Sequence, residues 1–135
     1  MKSPFKLSTR SRQRLVGVHS DLVLVVGKAI ELTYVDFMVI EGVRSIKRQQ
    51  ELVSKGVSQT MRSRHLTGHA VDLAPLVDGE IPWHDWREFS EVAYSMAAAA
   101  DHYGIVLEWG GNWKTFKDGP HFQLPWKDYP IESLN

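Results

Sequence analysis

Between Val57 and Asp72 the chain changes character abruptly, and this limits what it can fold into more than any other feature. From Val57 to His69 it is polar and without period, with Ser58, Thr60, Ser63, Thr67 and Gly68 among its residues, which reads as a loop. From Ala70 to Ala74 an alternating, strand-like pattern takes over and runs up to Pro75. Gly68 permits backbone conformations closed to other residues, and Ala70 lets neighbouring chain come close. The loop can therefore fold back on the strand it feeds, with His65 and Asp72 facing one point. The fold must supply a sheet for that strand and leave the loop on a surface, where functional groups concentrate.

The flanking segments supply the scaffold. Leu15, Val18, Leu22, Val25, Ala29 and Leu32 recur at three- and four-residue steps and predict one amphipathic helix from Ser8 to about Thr33. Phe37 to Ile40 reads as a strand, and Glu41-Gly42-Val43-Arg44 leads from it into a helix that Gly56 ends. Asp78-Gly79 marks a turn, and Asp85 is placed to cap a second long helix. On that helix Trp86, Phe89, Val92, Met96, Ala100 and Tyr103 share a face, and Gly104 terminates it. Ile105 to Trp109 reads as a strand, Gly110 to Gly119 as a loop, and His121 to Leu124 as a last strand. The expected class is α+β, with a short antiparallel sheet packed against two longer helices and a metal cleft on the sheet. The 135 residues, 43% of them hydrophobic, suit one domain over 1–135, with an irregular surface tail from Pro125.

Composition excludes several functional classes. Sixteen basic and sixteen acidic residues cancel, so no net field draws the chain to nucleic acid or to an anionic membrane. With no cysteine there is no disulfide scaffold, thiolate metal site or thiol nucleophile, and any metal must take nitrogen and oxygen ligands. The first residues, MKSPFKLSTRSRQR, lack the apolar core of a secretory signal, and no stretch approaches the roughly 20 apolar residues of a membrane span. The chain is expected to be made in the cytoplasm without inserting into a membrane.

The chemistry gathers in Ser63-Arg64-His65-Leu66-Thr67-Gly68-His69-Ala70-Val71-Asp72 and, later, Asp118-Gly119-Pro120-His121. Zinc in a hydrolase takes three protein ligands and keeps a fourth position open, and two neutral imidazoles with one carboxylate are a suitable set. His65, Asp72 and His121 are the candidate ligands, and Asp118 is the candidate general base. His69 is a rival ligand, four residues after His65 as in helical zinc motifs, although Gly68 and the absence of a glutamate at 66 argue against a helix there. Asp72 could instead orient His65 from behind. His19, His84 and His102 read as scaffold, and Trp109 and Trp113 as either packing or groove lining.

The pattern Ser-x-His-x-x-Gly-x-Ala-x-Asp with a later acidic-x-x-His resembles the signature of the D-alanyl-D-alanine and L-alanyl-D-glutamate metallopeptidases of peptidoglycan. A chance match at the five fixed positions is expected in on the order of one chain of this length in ten thousand. Asp118 in place of the glutamate usual in the D,D-enzymes is most similar to phage endolysins of the L-alanyl-D-glutamate type. The resemblance runs from about Phe37 to Leu124 and includes Glu41-Gly42-Val43-Arg44, Ser58-Gln59-Thr60 and Trp109-Gly110-Gly111-Asn112-Trp113. It implies one zinc ion on His65, Asp72 and His121, a base at Asp118, an oxyanion-stabilising and substrate-holding arginine at Arg44, and substrate contacts at Gln49 and Ser63. It further implies a monomer that acts on peptidoglycan after release from the host cytoplasm through a holin-type pore. No compact acidic loop suggests the calcium regulation of some phage enzymes. The rival readings are a D-alanyl-D-alanine carboxypeptidase or dipeptidase, and a non-catalytic binding module that keeps the zinc fold.

Overall fold

The computed structural model describes residues 2–58 and 60–131, so Gln59 of the Ser58-Gln59-Thr60 stretch lies outside the described residues. Four strands, β1 (Asp36–Glu41), β2 (Ala70–Leu76), β3 (Glu108–Trp109) and β4 (His121–Gln123), form one antiparallel sheet in the order β1-β2-β4-β3. Among the described residues four α-helices accompany it: α1 (Thr9–Arg14), α2 (Ser20–Leu32), α3 (Ile46–Ser54) and α4 (Trp86–Tyr103). Alternation along the strands sends Phe37, Val39, Val71, Leu73 and Phe122 into one core with Leu22, Val25, Val26 and Ala29 of α2 and Val92, Met96, Ala99 and Ala100 of α4. The α+β class, short antiparallel sheet and two longer helices are as expected.

The first helix is not continuous. It stops after Arg14 and restarts at Ser20, because Gly17 takes a left-handed conformation at φ +87° and the His19 side chain caps α2 by accepting from the Asp21 amide at 3.0 Å. Leu15 and Val18 remain buried, so the apolar stripe is real although the helix beneath it breaks. At the break the His19 amide donates to the Gly68 carbonyl at 2.8 Å. A Cβ on Gly68, itself at φ +78°, would lie 2.5 Å from the Gly17 carbonyl oxygen. The hinge between the first two helices is therefore the bed on which the polar loop rests.

Other boundaries moved for local reasons. β2 runs through Pro75 to Leu76. The Leu73 amide points to Pro120, on the β4 side, so the nitrogen of Pro75 two residues on points the same way, beyond the end of β4 where no donor is needed. Asp78 and Gly79 both have positive φ and close a tight hairpin between Val77 and Glu80. Asp85 caps α4 through the Arg87 amide and Gly104 ends it in the left-handed region, but Trp86 and Tyr103 are exposed rather than core.

The tail is not a loose surface segment as far as Tyr129. Arg64, 1% exposed, donates to the carbonyls of Leu124, Pro125 and Tyr129, and its guanidinium carbon lies 4.3 Å from the Trp126 ring centroid. The Tyr129 hydroxyl donates to Asp21 of α2 at 2.7 Å, which secures the same segment from the other side.

Candidate metal centre and active site

A single row across three strands builds the centre. Asp72 on β2 stands opposite His121 on β4 and, on its other side, opposite Glu41 on β1. Directly opposed residues share a face, so the three side chains emerge together on the face away from α2 and α4. Glu41 reaches this row only because the register slips between Val39 and Glu41, where an extra residue bulges the strand. His65 arrives from the polar loop, which winds through one 3₁₀ turn at Arg64–Thr67. Ser63 caps that turn by accepting from the His65 amide at 3.2 Å, and Gly68 ends it.

The nitrogen and oxygen donors converge. His65 Nε2 is 3.2 Å and His121 Nδ1 is 3.3 Å from the same Asp72 oxygen, Oδ1, and the three residues' ligand atoms all lie within 4.8 Å of one another. Donors around a tetrahedral ion with bonds of roughly 2.0 Å stand roughly 3.3 Å apart, which these separations match. The far side of each ring fixes its tautomer. His65 Nδ1 lies 2.8 Å from the Gly42 carbonyl, which can only accept, so that nitrogen carries the proton. His121 Nε2 lies 2.7 Å from Gln123 Oε1, and the Gln123 amide is oriented by its own donation to Glu108 at 3.2 Å. In the neutral rings both inner nitrogens are bare lone pairs aimed at a carboxylate, an arrangement that repels itself until a cation enters. The residues present thus fit a metal ion.

Without a cation, protons relieve the same repulsion, because a protonated ring has an N–H on its inner nitrogen to donate to Asp72. Burial would raise the Asp72 pKa, but hydrogen bonds from His121 and His65 outweigh it and hold the carboxyl well below the usual range. Burial resists charging His121, yet its hydrogen bond to Asp72 raises its pKa above the ordinary histidine value. Burial, and then the nearby charge of Asp72, push Asp118 upward against the opposing pull of His121, His65 and Arg44.

Arg44 stands beside the centre with Nη2 3.7 Å from Asp72 Oδ2. Glu41 accepts from its Nε, and Gln49 Oε1 accepts from its Nη1 at 2.7 Å. Gln49, the expected substrate contact, is buried in this structure. Its side chain is 0% exposed, and its amide also donates to the Ser58 hydroxyl and the Thr60 carbonyl, so it joins Arg44 to the start of the polar loop without facing the cleft. Arg44, Ser63, His65, Asp72, Asp118 and His121 all line one open cleft of about 1090 Å³.

The remaining aromatic and histidine candidates separate by geometry. His69 turns away from the centre, bonding Thr67 at 2.7 Å and lying against His19. Trp109 is packing: its indole donates to the Gly119 carbonyl and its ring stacks on Phe122. Trp113 lines the cleft, with its ring 5.1 Å from that of His121 and its indole donating to Glu108 at 2.9 Å. Sequence reasoning missed the supports Glu41, Gln123 and Glu108. Glu41 and Gln123 carried a signal, since each lies one or two residues from a chosen site residue or in the quoted Glu41-Gly42-Val43-Arg44 stretch.

An open cleft holding a convergent His-Asp-His donor set beside a carboxyl and an arginine has the equipment of a metal-dependent hydrolase. The sequence profile described as phage L-alanyl-D-glutamate peptidase matches residues 3–124. The crystal structure of the Serratia marcescens L-Ala D-Glu endopeptidase ChiX superposes with a TM-score of 0.88 at 50% identity, covering 93% of this chain and 95% of that one. The L-alanyl-D-glutamate peptidase of Escherichia phage T5 is 32% identical over 117 residues, 84% of this chain and 85% of the relative. That of Listeria phage A118 is 36% identical over 100 residues, 74% of this chain but 34% of the longer relative. The chain belongs to the phage L-alanyl-D-glutamate peptidase family.

Proposed function

We propose that the protein hydrolyses the bond between L-alanine and D-glutamate in peptidoglycan stem peptides, with one zinc ion held by His65, Asp72 and His121. The observation that supports this most is the convergence of one nitrogen from each of two imidazole rings on a single Asp72 oxygen, with the outer ring nitrogens held by Gly42 and Gln123. When bound, zinc supplies an acidified water and a positive charge against the scissile carbonyl. Asp118 takes the proton from the attacking water and returns it to the departing D-glutamate nitrogen. A carboxyl whose pKa is raised by burial is suited to the second of these tasks as well as the first. Arg44, aimed by Glu41 and Gln49, offers fixed, permanently charged donors to the oxygen on which negative charge develops. Ser63 uses an oxygen lone pair to hold His65, which leaves its hydroxyl proton for the substrate.

As an endolysin the protein acts as a monomer and reaches the wall from the host cytoplasm through a holin-type pore. Among the described residues no helix is long and apolar enough to cross a membrane. The test is a digest of a defined muropeptide by the zinc-loaded protein, with and without chelator, read by mass spectrometry. Fragments with a new D-glutamate amino terminus, absent with chelator, are expected. Release of terminal D-alanine would establish the D,D-peptidase reading instead, and an inert protein with stoichiometric zinc would overturn the peptidase reading and favour a binding module.

A further inference from the structure

The family's bond places a second charge beside Asp118. D-Glutamate carries its amine and its α-carboxyl on the same carbon, so that carboxyl carbon lies about 2.5 Å from the leaving nitrogen. Asp118, in delivering a proton there, comes within roughly 3 Å of that nitrogen. The two carboxylates are thus brought close together in a partly buried cleft, where like charges repel strongly unless a cation stands between them or beside them.

The cleft supplies such cations on its rim. Lys117 immediately precedes Asp118 on the loop that carries both to the cleft. Arg62 lies three residues before His65, with its guanidinium carbon 5.0 Å from the Trp126 ring centroid. Both line the cleft and both are exposed. Neither has a carboxylate partner within 4.0 Å among the described residues, whereas the cleft's Arg44 and Arg48 are paired with Glu41 and Glu51. The acids of the cleft are otherwise engaged: Glu41 by Arg44, Glu108 by Trp113 and Gln123, and Asp72 by the two histidines. In a chain with no net charge this surplus of positive charge is a local feature of the cleft. Between Lys114 and Lys117 the backbone turns at Phe116, whose φ of +52° is rare for a bulky residue.

We infer that Lys117, assisted by Arg62, binds the free α-carboxylate of the D-glutamate residue and makes the enzyme selective for stems in which that group is not amidated. The inference rests on the proposed peptidase activity and on Asp118 as its proton carrier. It is tested with two synthetic muropeptides that differ only in carrying an α-carboxylate or an α-carboxamide on D-glutamate, using the zinc-loaded protein at low and high salt. The wild type is expected to show at least about a tenfold higher kcat/KM on the carboxylate, chiefly through KM, with the advantage shrinking as salt screens the contact. Lys117→Met brings the two substrates within about twofold, Lys117→Arg restores the preference, and Lys6→Met, outside the cleft, leaves it intact. A wild type that cuts both substrates equally overturns this inference alone, as does a preference that survives in the Lys117→Met, Arg62→Met double variant. A wild type that cuts neither overturns the peptidase reading and this inference with it.

Discussion

His121 Nε2 faces Gln123 Oε1, and its other ring nitrogen faces the proposed metal position, so the glutamine controls which face of the imidazole is basic. Replacing it by a residue of similar size that cannot accept, Gln123→Leu, removes that control and is expected to weaken zinc binding by roughly ten- to a hundredfold in calorimetry. Proton release should accompany loading. His121 and Asp118 both have raised pKa values in the metal-free protein, and a cation favours the deprotonated form of each. Binding therefore expels protons, and apparent affinity falls as pH drops through those raised values, which titrations in buffers of different ionisation enthalpy will show. Asp118→Asn should retain the metal while losing on the order of a hundred- to ten-thousandfold in cleavage rate. The sequence made the cluster of His65, Asp72 and His121 visible because histidine and aspartate at that spacing are chemically distinctive. It could not reveal that Gln49 is buried behind Arg44, since an exposed and a buried glutamine read alike until the partners at Ser58 and Thr60 are known.

At the level of elements, the periodicity of residues 15–32 was legible and the break within them was not. A hydrophobic stripe persists through Gly17 because Leu15 and Val18 bury themselves on either side of the turn. What forces the turn is a contact remote in sequence, the seating of Gly68 against Gly17. Gly68→Ala adds a methyl to a left-handed residue and drives it into a backbone carbonyl, neither of which a side-chain rotation can relieve. The expected cost is about 1–3 kcal/mol or more by urea unfolding, together with weaker zinc binding, since the turn holding His65 must shift. The strands were found in order, but the bulge that brings Glu41 into line with Asp72 has no signal in a short apolar run.

For the molecule as a whole, the three proposed ligands come from a loop, a central strand and a late strand, so an ion bound there would tie together segments far apart in sequence. An ion that binds only the folded state at a thousand times its Kd adds about 4 kcal/mol of stability. For a domain of this size that corresponds to a rise in Tm on the order of ten degrees or more. Scanning calorimetry with zinc and with chelator should show it, and a His121→Ala chain should not.

Arg64 gives this architecture a direction in time. It immediately precedes His65, yet its carbonyl partners are at Leu124, Pro125 and Tyr129, about sixty positions downstream. During synthesis the ribosome releases His65 and Asp72 long before the carbonyls that accept from the neighbouring guanidinium exist. A chain ended after His121 keeps every candidate ligand yet lacks the carbonyls that hold Arg64, and it is expected to bind zinc more weakly than the full chain in calorimetry.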